Sequence, residues 1–187
     1  MLTARQKKKI LTTLATIVIA VLYSIYKGEP VLIGINPSTQ NSQTTSTSSF
    51  PVVHIVDGDT IDIERGGVKE RLRLIGVNSP ESVDPRRPVE CFGKEASKYA
   101  SSILTGQSVT IETDTSQGML DKYGRTLAYV FLADGRNFNE LMIRDGYAYE
   151  YTYSKPYKYQ KLFNDAEYDA RSHERGLWAN TTCSGLK

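Results

Sequence analysis

Apolar and polar residues alternate along Arg71–Val77, with Leu72 and Leu74 on one side and Arg71, Arg73, Ile75 and Val77 on the other. Period-two alternation of this kind predicts a half-buried strand. Gly76 and Pro80 break it and turn the chain into a polar loop that carries Asn78, Ser79 and Glu81. Upstream, residues 52–56 read as a short apolar strand and Asp57-Gly58-Asp59-Thr60 as a turn. Residues 60–64 form a second strand in which Ile61 and Ile63 alternate with polar neighbours. Arg65-Gly66-Gly67 has hairpin composition and leads into a strand over residues 68–77.

Past a polar loop at 80–88, Ala96, Tyr99, Ala100, Ile103 and Leu104 recur at helical spacing, which predicts a helix from Gly93 to Thr105 closed by Gly106. Residues 108–113 form another strand, 114–124 a long loop, and 125–132 a strand that is apolar on both faces and therefore central. Asn137 with Glu140 predicts a capping box for a short helix ending at Gly146. Tyr159, Leu162, Phe163, Ala166 and Ala170 form one face of a last helix, which Gly176 stops, and Trp178 folds back onto the core. Three strands, a helix, two strands and two helices predict an α+β fold: a five-stranded Greek-key β-barrel of the OB type with three α-helices. That architecture hosts both binders and enzymes, so it does not decide the function.

The N-terminal stretch has another character. The basic residues Arg5 to Lys9 precede an uncharged, mostly apolar run from Ile10 to Tyr26, and a Ser/Thr-rich stretch from Gln40 to Ser49 follows. Charge ahead of an apolar run predicts an N-terminus inside and the remainder translocated. The expected organisation is a cytoplasmic end (1–9), a signal anchor or signal peptide (10–26), a linker (27–50), the folded domain (51–180) and a tail (181–187). The domain is then extracytoplasmic, tethered to the membrane by the N-terminal segment or secreted after cleavage. Without the first 50 residues the charge is slightly negative, against a formal +2 for the whole chain. A passive nucleic-acid coat would be basic overall; contact with nucleic acid must use a local cluster.

Candidate chemistry collects in three turns. Asp57 and Asp59 lie in one and Asn78 and Glu81 in a second, and oxygens from two such loops suit Ca²⁺. Asp57-Gly58 is equally the composition of an ordinary hairpin turn. Asp121-Lys122-Tyr123-Gly124-Arg125 is the third turn and ends in an arginine at a strand start. Two arginines, a metal and a carboxylate are sufficient to hydrolyse a phosphodiester.

The chain resembles the staphylococcal nuclease (thermonuclease) family over nearly all of residues 52–178. The resemblance rests on Asp57-Gly58-Asp59-Thr60, on residues 73–81 (RLIGVNSPE), on Gly93-Lys94-Glu95-Ala96, on residues 121–129 (DKYGRTLAY), and on Gly176-Leu177-Trp178. It implies a Ca²⁺-dependent endo- and exonuclease acting on DNA and RNA and leaving 3′-phosphates. It also implies Arg73 and Arg125 as phosphate-binding catalytic arginines and Glu81 as general base. Asp59, Asn78 and the Ser79 carbonyl become metal ligands, and Lys122, Tyr123, Tyr151 and Tyr153 substrate contacts. Asn78 stands where the best-known member of the family has an aspartate ligand, so the cage loses one formal charge and should hold Ca²⁺ more weakly.

Cys91 and Cys183 are the only cysteines. Outside the cytoplasm they are expected to form a disulfide tying down the tail, the alternative being two unpaired thiols. His54 and His173 match no metal pattern. No obligate protein partner is implied, and the domain is expected to be monomeric. A catalytically silent OB-fold module that binds nucleic acid or a protein is the competing reading; the presence of Arg73, Glu81 and Arg125 together favours the enzyme.

Overall fold

The structure is a computed structural model that describes residues 48–83, 85–86 and 88–183; the apolar run at 10–26 lies outside them. Among the described residues no helix is long and apolar enough to cross a membrane.

The described chain runs β1 (Phe50–Ile55), β2 (Thr60–Arg65), β3 (Val68–Leu74), β4 (Val77–Asn78), α1 (Gly93–Leu104), β5 (Ser108–Glu112) and β6 (Thr126–Phe131). It continues through α2 (Phe138–Arg144), β7 (Tyr149–Glu150), α3 (Gln160–Ser172) and a 3₁₀ turn at Gly176–Trp178. Five strands close into a barrel in the order β1-β2-β3-β6-β5, and β5 returns to β1 through Phe50↔Val109 and Pro51↔Ser108. All barrel pairings are antiparallel except β3 with β6, which run parallel through Leu72↔Thr126, Arg73↔Leu127 and Leu74↔Ala128. This is the expected mixed OB-type barrel with three helices.

Alternation supplies the barrel core. Ile61 and Ile63 of β2 and Leu72 of β3 are fully buried and Leu74 nearly so, while Ala96, Ala100 and Leu104 bury the inner stripe of α1. Truncating such a side chain, for example Leu72→Ala, should cost about 2–5 kcal/mol. Asp62 is the buried charged residue on β2. It is buried on the outer barrel wall beneath Arg71 (Nε–Oδ1 2.7 Å), Lys69 (3.2 Å) and His54 (3.5 Å). The Arg71 hydrogen bonds hold its carboxyl below the ordinary range.

Several sequence expectations are corrected. β3 ends at Leu74, because Gly76 takes φ +74° and reverses the chain; a Cβ there would also lie 2.6 Å from the Tyr157 ring. Ile75 and Val77 are therefore buried and do not share the face of Arg71 and Arg73. Val77–Asn78 instead forms β4, paired with β7 through Val77↔Glu150 and Asn78↔Tyr149. β1 starts at Phe50, two residues early, where it meets β5. The Asn137 side chain caps α2 by accepting from the backbone N–H of Asn139 and Glu140, but among the described residues Glu140 returns no bond. Leu162 is 40 % exposed and lies off the packed face of α3, which Phe163, Ala166 and Ala170 provide.

A second, smaller cluster forms behind the β4–β7 pair. Tyr149, Ala170, Leu177, Trp178 and Cys183 pack there with Phe92, and Trp178 stands edge-on to Tyr149 at 5.2 Å. Cys91 and Cys183 are joined in a disulfide across 92 residues, with Cα atoms 6.0 Å apart.

Candidate active site

Barrel closure brings three of the sequence's turns together. Thr60 opens β2 opposite Arg73 on β3, and β6 follows Arg125 alongside β3. Arg73 is 14 % exposed, and the reversal at Gly76 wraps carbonyls around it. Its Nη1 donates to Leu74 O (2.7 Å) and Val77 O (2.6 Å), and its Nη2 lies 3.2 Å from Asp59 Oδ2. Nε and one Nη2 hydrogen remain without a protein acceptor among the described residues, enough for a two-point contact with a phosphate.

Asp59 links the two arginines. Its Oδ1 accepts from Thr60 Oγ1 (3.0 Å), and Thr60 Oγ1 in turn accepts from Arg125 Nη1 (3.2 Å). Arg125 is fixed further by Asp121, whose Oδ2 accepts from Nε at 2.6 Å and whose Oδ1 accepts from the backbone N–H of Arg125 and Tyr123. Arg73, Asp59, Thr60 and Arg125 thus form one connected chain of polar contacts at one end of the barrel.

The turn at 57–59 is packed directly on the 78–79 segment. A Cβ at Gly58 would meet Ser79 Cβ at 2.7 Å and Ser79 Oγ at 2.9 Å, and Ser79 N donates to Asp59 Oδ2 at 2.9 Å. Burial, followed by the charge of neighbouring Asp59, pushes the Asp57 carboxyl up to about 7. Two shielded carboxylates in a turn packed on the segment that carries Asn78 and Ser79 offer oxygen donors of the kind a hard divalent cation takes. Among the described residues no group of three or more His, Cys, Asp or Glu side chains is arranged to hold a metal ion by itself.

Glu81 begins the loop after β4. Its Oε1 accepts from the backbone N–H of Ser82 (2.9 Å) and Val83 (2.8 Å), which orients the carboxylate through its own succeeding turn. Lys122 and Tyr123 flank Arg125, and the Lys122 ammonium (5.0 Å) and the Arg125 guanidinium (5.4 Å) both lie over the Tyr123 ring, itself 70 % exposed. Tyr151 extends the β4–β7 pairing through Tyr151 N to Gly76 O (3.1 Å), and its exposed ring lies 6.3 Å from that of Tyr153. The other tyrosines of that stretch are structural: Tyr149 and Tyr157 are buried, and Tyr147 stacks on Tyr99 at 3.9 Å.

Four supporting residues were not visible as such in the sequence. Thr60 and Asp121 hold Arg125, and Glu90 holds the backbone of Glu81. Asn139 is fully buried on α2; its Oδ1 accepts from Val130 N (3.0 Å), and its Nδ2 donates to Ile75 O (2.9 Å) and Ala128 O (3.2 Å). It pins the β3–β4 reversal to β6. Only Asp121 left a sequence signal, its spacing of four residues before Arg125.

A small mixed barrel presenting two oriented arginines at one end defines an OB-type α+β domain. The family model described as staphylococcal nuclease homologue matches residues 71–180, and the chain belongs to that family. It is 37 % identical over 171 residues to the thermonuclease of Staphylococcus hyicus, covering 91 % of this chain and 95 % of that one. It is 38 % identical over 171 residues to the thermonuclease of Staphylococcus intermedius, covering 91 % and 98 %. With Endonuclease YncB of Bacillus subtilis (strain 168) it shares 33 % identity over 127 residues, 67 % of this chain and 59 % of that protein.

Proposed function

We propose that this protein is a Ca²⁺-dependent nuclease that hydrolyses phosphodiester bonds of DNA, RNA or both and leaves 3′-phosphates. The observation that carries this reading is the chain Arg73–Asp59–Thr60–Arg125, which holds two guanidinium groups at one barrel end with N–H donors to spare. Family membership, with relatives named thermonuclease and endonuclease, supports it.

In this reading Asp59, Asn78 and the Ser79 carbonyl hold the cation, with Asp57 beside them. The cation, when bound, supplies positive charge that polarises a phosphoryl oxygen. Arg73 and Arg125 donate to the non-bridging oxygens and gain strength as charge accumulates there during attack. Glu81 takes a proton from the attacking water. The water oxygen bonds to phosphorus, the bond to the 5′ oxygen breaks with its electron pair staying on that oxygen, which takes a proton from solvent, and a 3′-phosphate and a 5′-hydroxyl result. Lys122, Tyr123, Tyr151 and Tyr153 give the neighbouring nucleotides a cationic and aromatic surface. The protein acts as a monomeric domain outside the cytoplasm, either anchored through residues 10–26 or released after cleavage. A disulfide is consistent with an oxidising compartment.

The test is incubation of the full chain with DNA and RNA, with Ca²⁺ or with a chelator, followed by end-group analysis. Ca²⁺-dependent fragments ending in 3′-phosphate support the reading. Binding without cleavage at any Ca²⁺ concentration identifies a silent binding module instead.

A further inference from the structure

The loop that carries Glu81 is closed by a clamp from the start of α1. Glu90 grips Glu81 at two points: Glu81 N donates to Glu90 Oε2 at 2.9 Å, and Glu90 N donates to Glu81 O at 2.8 Å. Gly93 completes the grip. A Cβ at Gly93 would come within 2.5 Å of Glu81 O, so α1 sits flush on the Glu81 backbone. Between the two clamp residues stand Cys91 and Phe92. Phe92 adopts φ +69°, a left-handed conformation unfavourable for a bulky side chain, and such strain persists only where the surroundings impose it. The restraints include the Cys91–Cys183 disulfide and the Phe92 ring, which packs against the second apolar cluster and lies 5.4 Å from the Tyr147 ring.

We propose that Glu90 and the Cys91–Cys183 disulfide together form a positioning device for Glu81, so that turnover depends on the oxidised cysteine pair while substrate binding does not. The proposal rests on the reading of Glu81 as the catalytic base. The arginines assigned to phosphate are anchored on the barrel by Asp59, Thr60, Asp121 and the carbonyls of Leu74 and Val77. Losing the disulfide frees the Phe92 backbone to relax out of its left-handed conformation. Glu90 and Gly93 then shift against Glu81, and its carboxylate leaves its place relative to the bound phosphate. Dithiothreitol achieves this by delivering two electrons and two protons, leaving two thiols and becoming its own cyclic disulfide. The enzyme is thereby fully active only where its tail is covalently fastened, as in an oxidising exterior.

The experiment measures kcat and KM of the full chain on single-stranded DNA at saturating Ca²⁺, well below the melting temperature, with Trp178 fluorescence reporting the fold. Reduction is expected to lower kcat on the order of 10-fold with KM moving by less than about twofold, since misplacing a catalytic group costs turnover. Cys91→Ser with Cys183→Ser should match the reduced wild type and be insensitive to dithiothreitol. Glu90→Ala, with the disulfide intact, should show the same kcat loss. Glu90→Gln, which keeps an oxygen for Glu81 N, should recover most of it. This pair carries the test if the serine variant does not fold. A background variant, Glu81→Gln, separates positioning from general loosening: there, reduction should change kcat by less than about twofold. An equal proportional loss in both backgrounds, or unchanged kcat in protein with two titratable thiols, overturns the proposal. Wild-type turnover by Glu81→Gln itself overturns the earlier assignment of Glu81 as base and removes the premise.

Discussion

The Asp59 carboxylate lies 3.2 Å from the Arg73 guanidinium, and both groups are shielded from solvent. The carboxylate assigned to the cation therefore also orients the arginine proposed to bind phosphate. Asp59→Ala is expected to lose activity that extra Ca²⁺ does not restore, because Arg73 loses its orientation along with the cation its ligand. Asn78→Ala, which leaves Arg73 untouched, should be largely restored at high Ca²⁺. Full recovery of Asp59→Ala at saturating Ca²⁺ would separate the two roles and contradict this coupling.

Asn78 supplies an amide oxygen where a carboxylate would add a charge. Ca²⁺ should accordingly be needed at about 10⁻⁴–10⁻³ M, the range of weak extracellular sites. Asn78→Asp should lower the half-maximal Ca²⁺ concentration measured on one DNA substrate. An unmoved midpoint removes Asn78 from the ligand set.

Tyr123 and Tyr153 are 70 % and 72 % exposed, which leaves both rings open to a nucleotide base. Base stacking on such a ring contributes about 1–3 kcal/mol. Tyr123→Ala and Tyr153→Ala should each raise KM for single-stranded DNA roughly 5-fold or more with kcat little changed. A kcat loss at constant KM would place these rings in the chemistry instead.

Asp114 fastens the loop before Lys122 to the segment after Tyr153. Burial raises its carboxyl, but hydrogen bonds from Lys158 N, Ser116 and the Tyr129 hydroxyl outweigh this and bring it down to about 2. A carboxyl lowered on folding stabilises the protein above its unfolded value, near 3.8, and that contribution fades as pH falls from there through about 2. Asp114→Asn should be less stable than wild type at pH 7, with the difference shrinking on acidification, as read by Trp178 fluorescence in urea. A gap independent of pH would mean that the interaction is not ionic.

Asn139→Ala should be among the most damaging single changes. It leaves Val130 N, Ile75 O and Ala128 O without their side-chain partner in a dry interior. Ala128 O keeps its bond from Ile75 N (3.0 Å), so two groups lose their partner; unsatisfied buried groups cost about 1–3 kcal/mol each, and a loss of at least about 2 kcal/mol is expected in equilibrium unfolding. A loss under about 1 kcal/mol would show that the rest of the fold satisfies those groups.

The barrel strands and three helices were legible because they run six or more residues, with one exception of five, and carry their own period. β4 and β7 were not, since two residues have no periodicity and exist as strands only because Gly76 reverses the chain beside Tyr149. Sequence alternation alone extends β3 past that reversal and puts Ile75 and Val77 on the arginine face, whereas both are buried. At the site, Arg73, Arg125, Asp59, Asn78, Ser79 and Glu81 stood out as charged or polar residues in turns, and they fall on one end of the barrel or on the loop leaving it. Their supports did not stand out. Thr60 reaches Arg125 across 65 residues, Asn139 reaches Ile75 across 64, and both look in sequence like ordinary strand and helix residues. Cooperation of that kind is created by closure of the barrel.

The most direct measurement of the central claim is the rate of DNA cleavage by Arg73→Lys, Arg73→Ala, Arg125→Lys and Arg125→Ala at saturating Ca²⁺, each shown folded by circular dichroism. Both alanine variants should lose on the order of 10²-fold or more in kcat, as expected when a donor to developing charge is removed. Neither lysine should restore the rate, because a point charge cannot replace a planar two-point donor. Near wild-type turnover in both alanine variants would contradict the assignment of these arginines and the nuclease mechanism built on them.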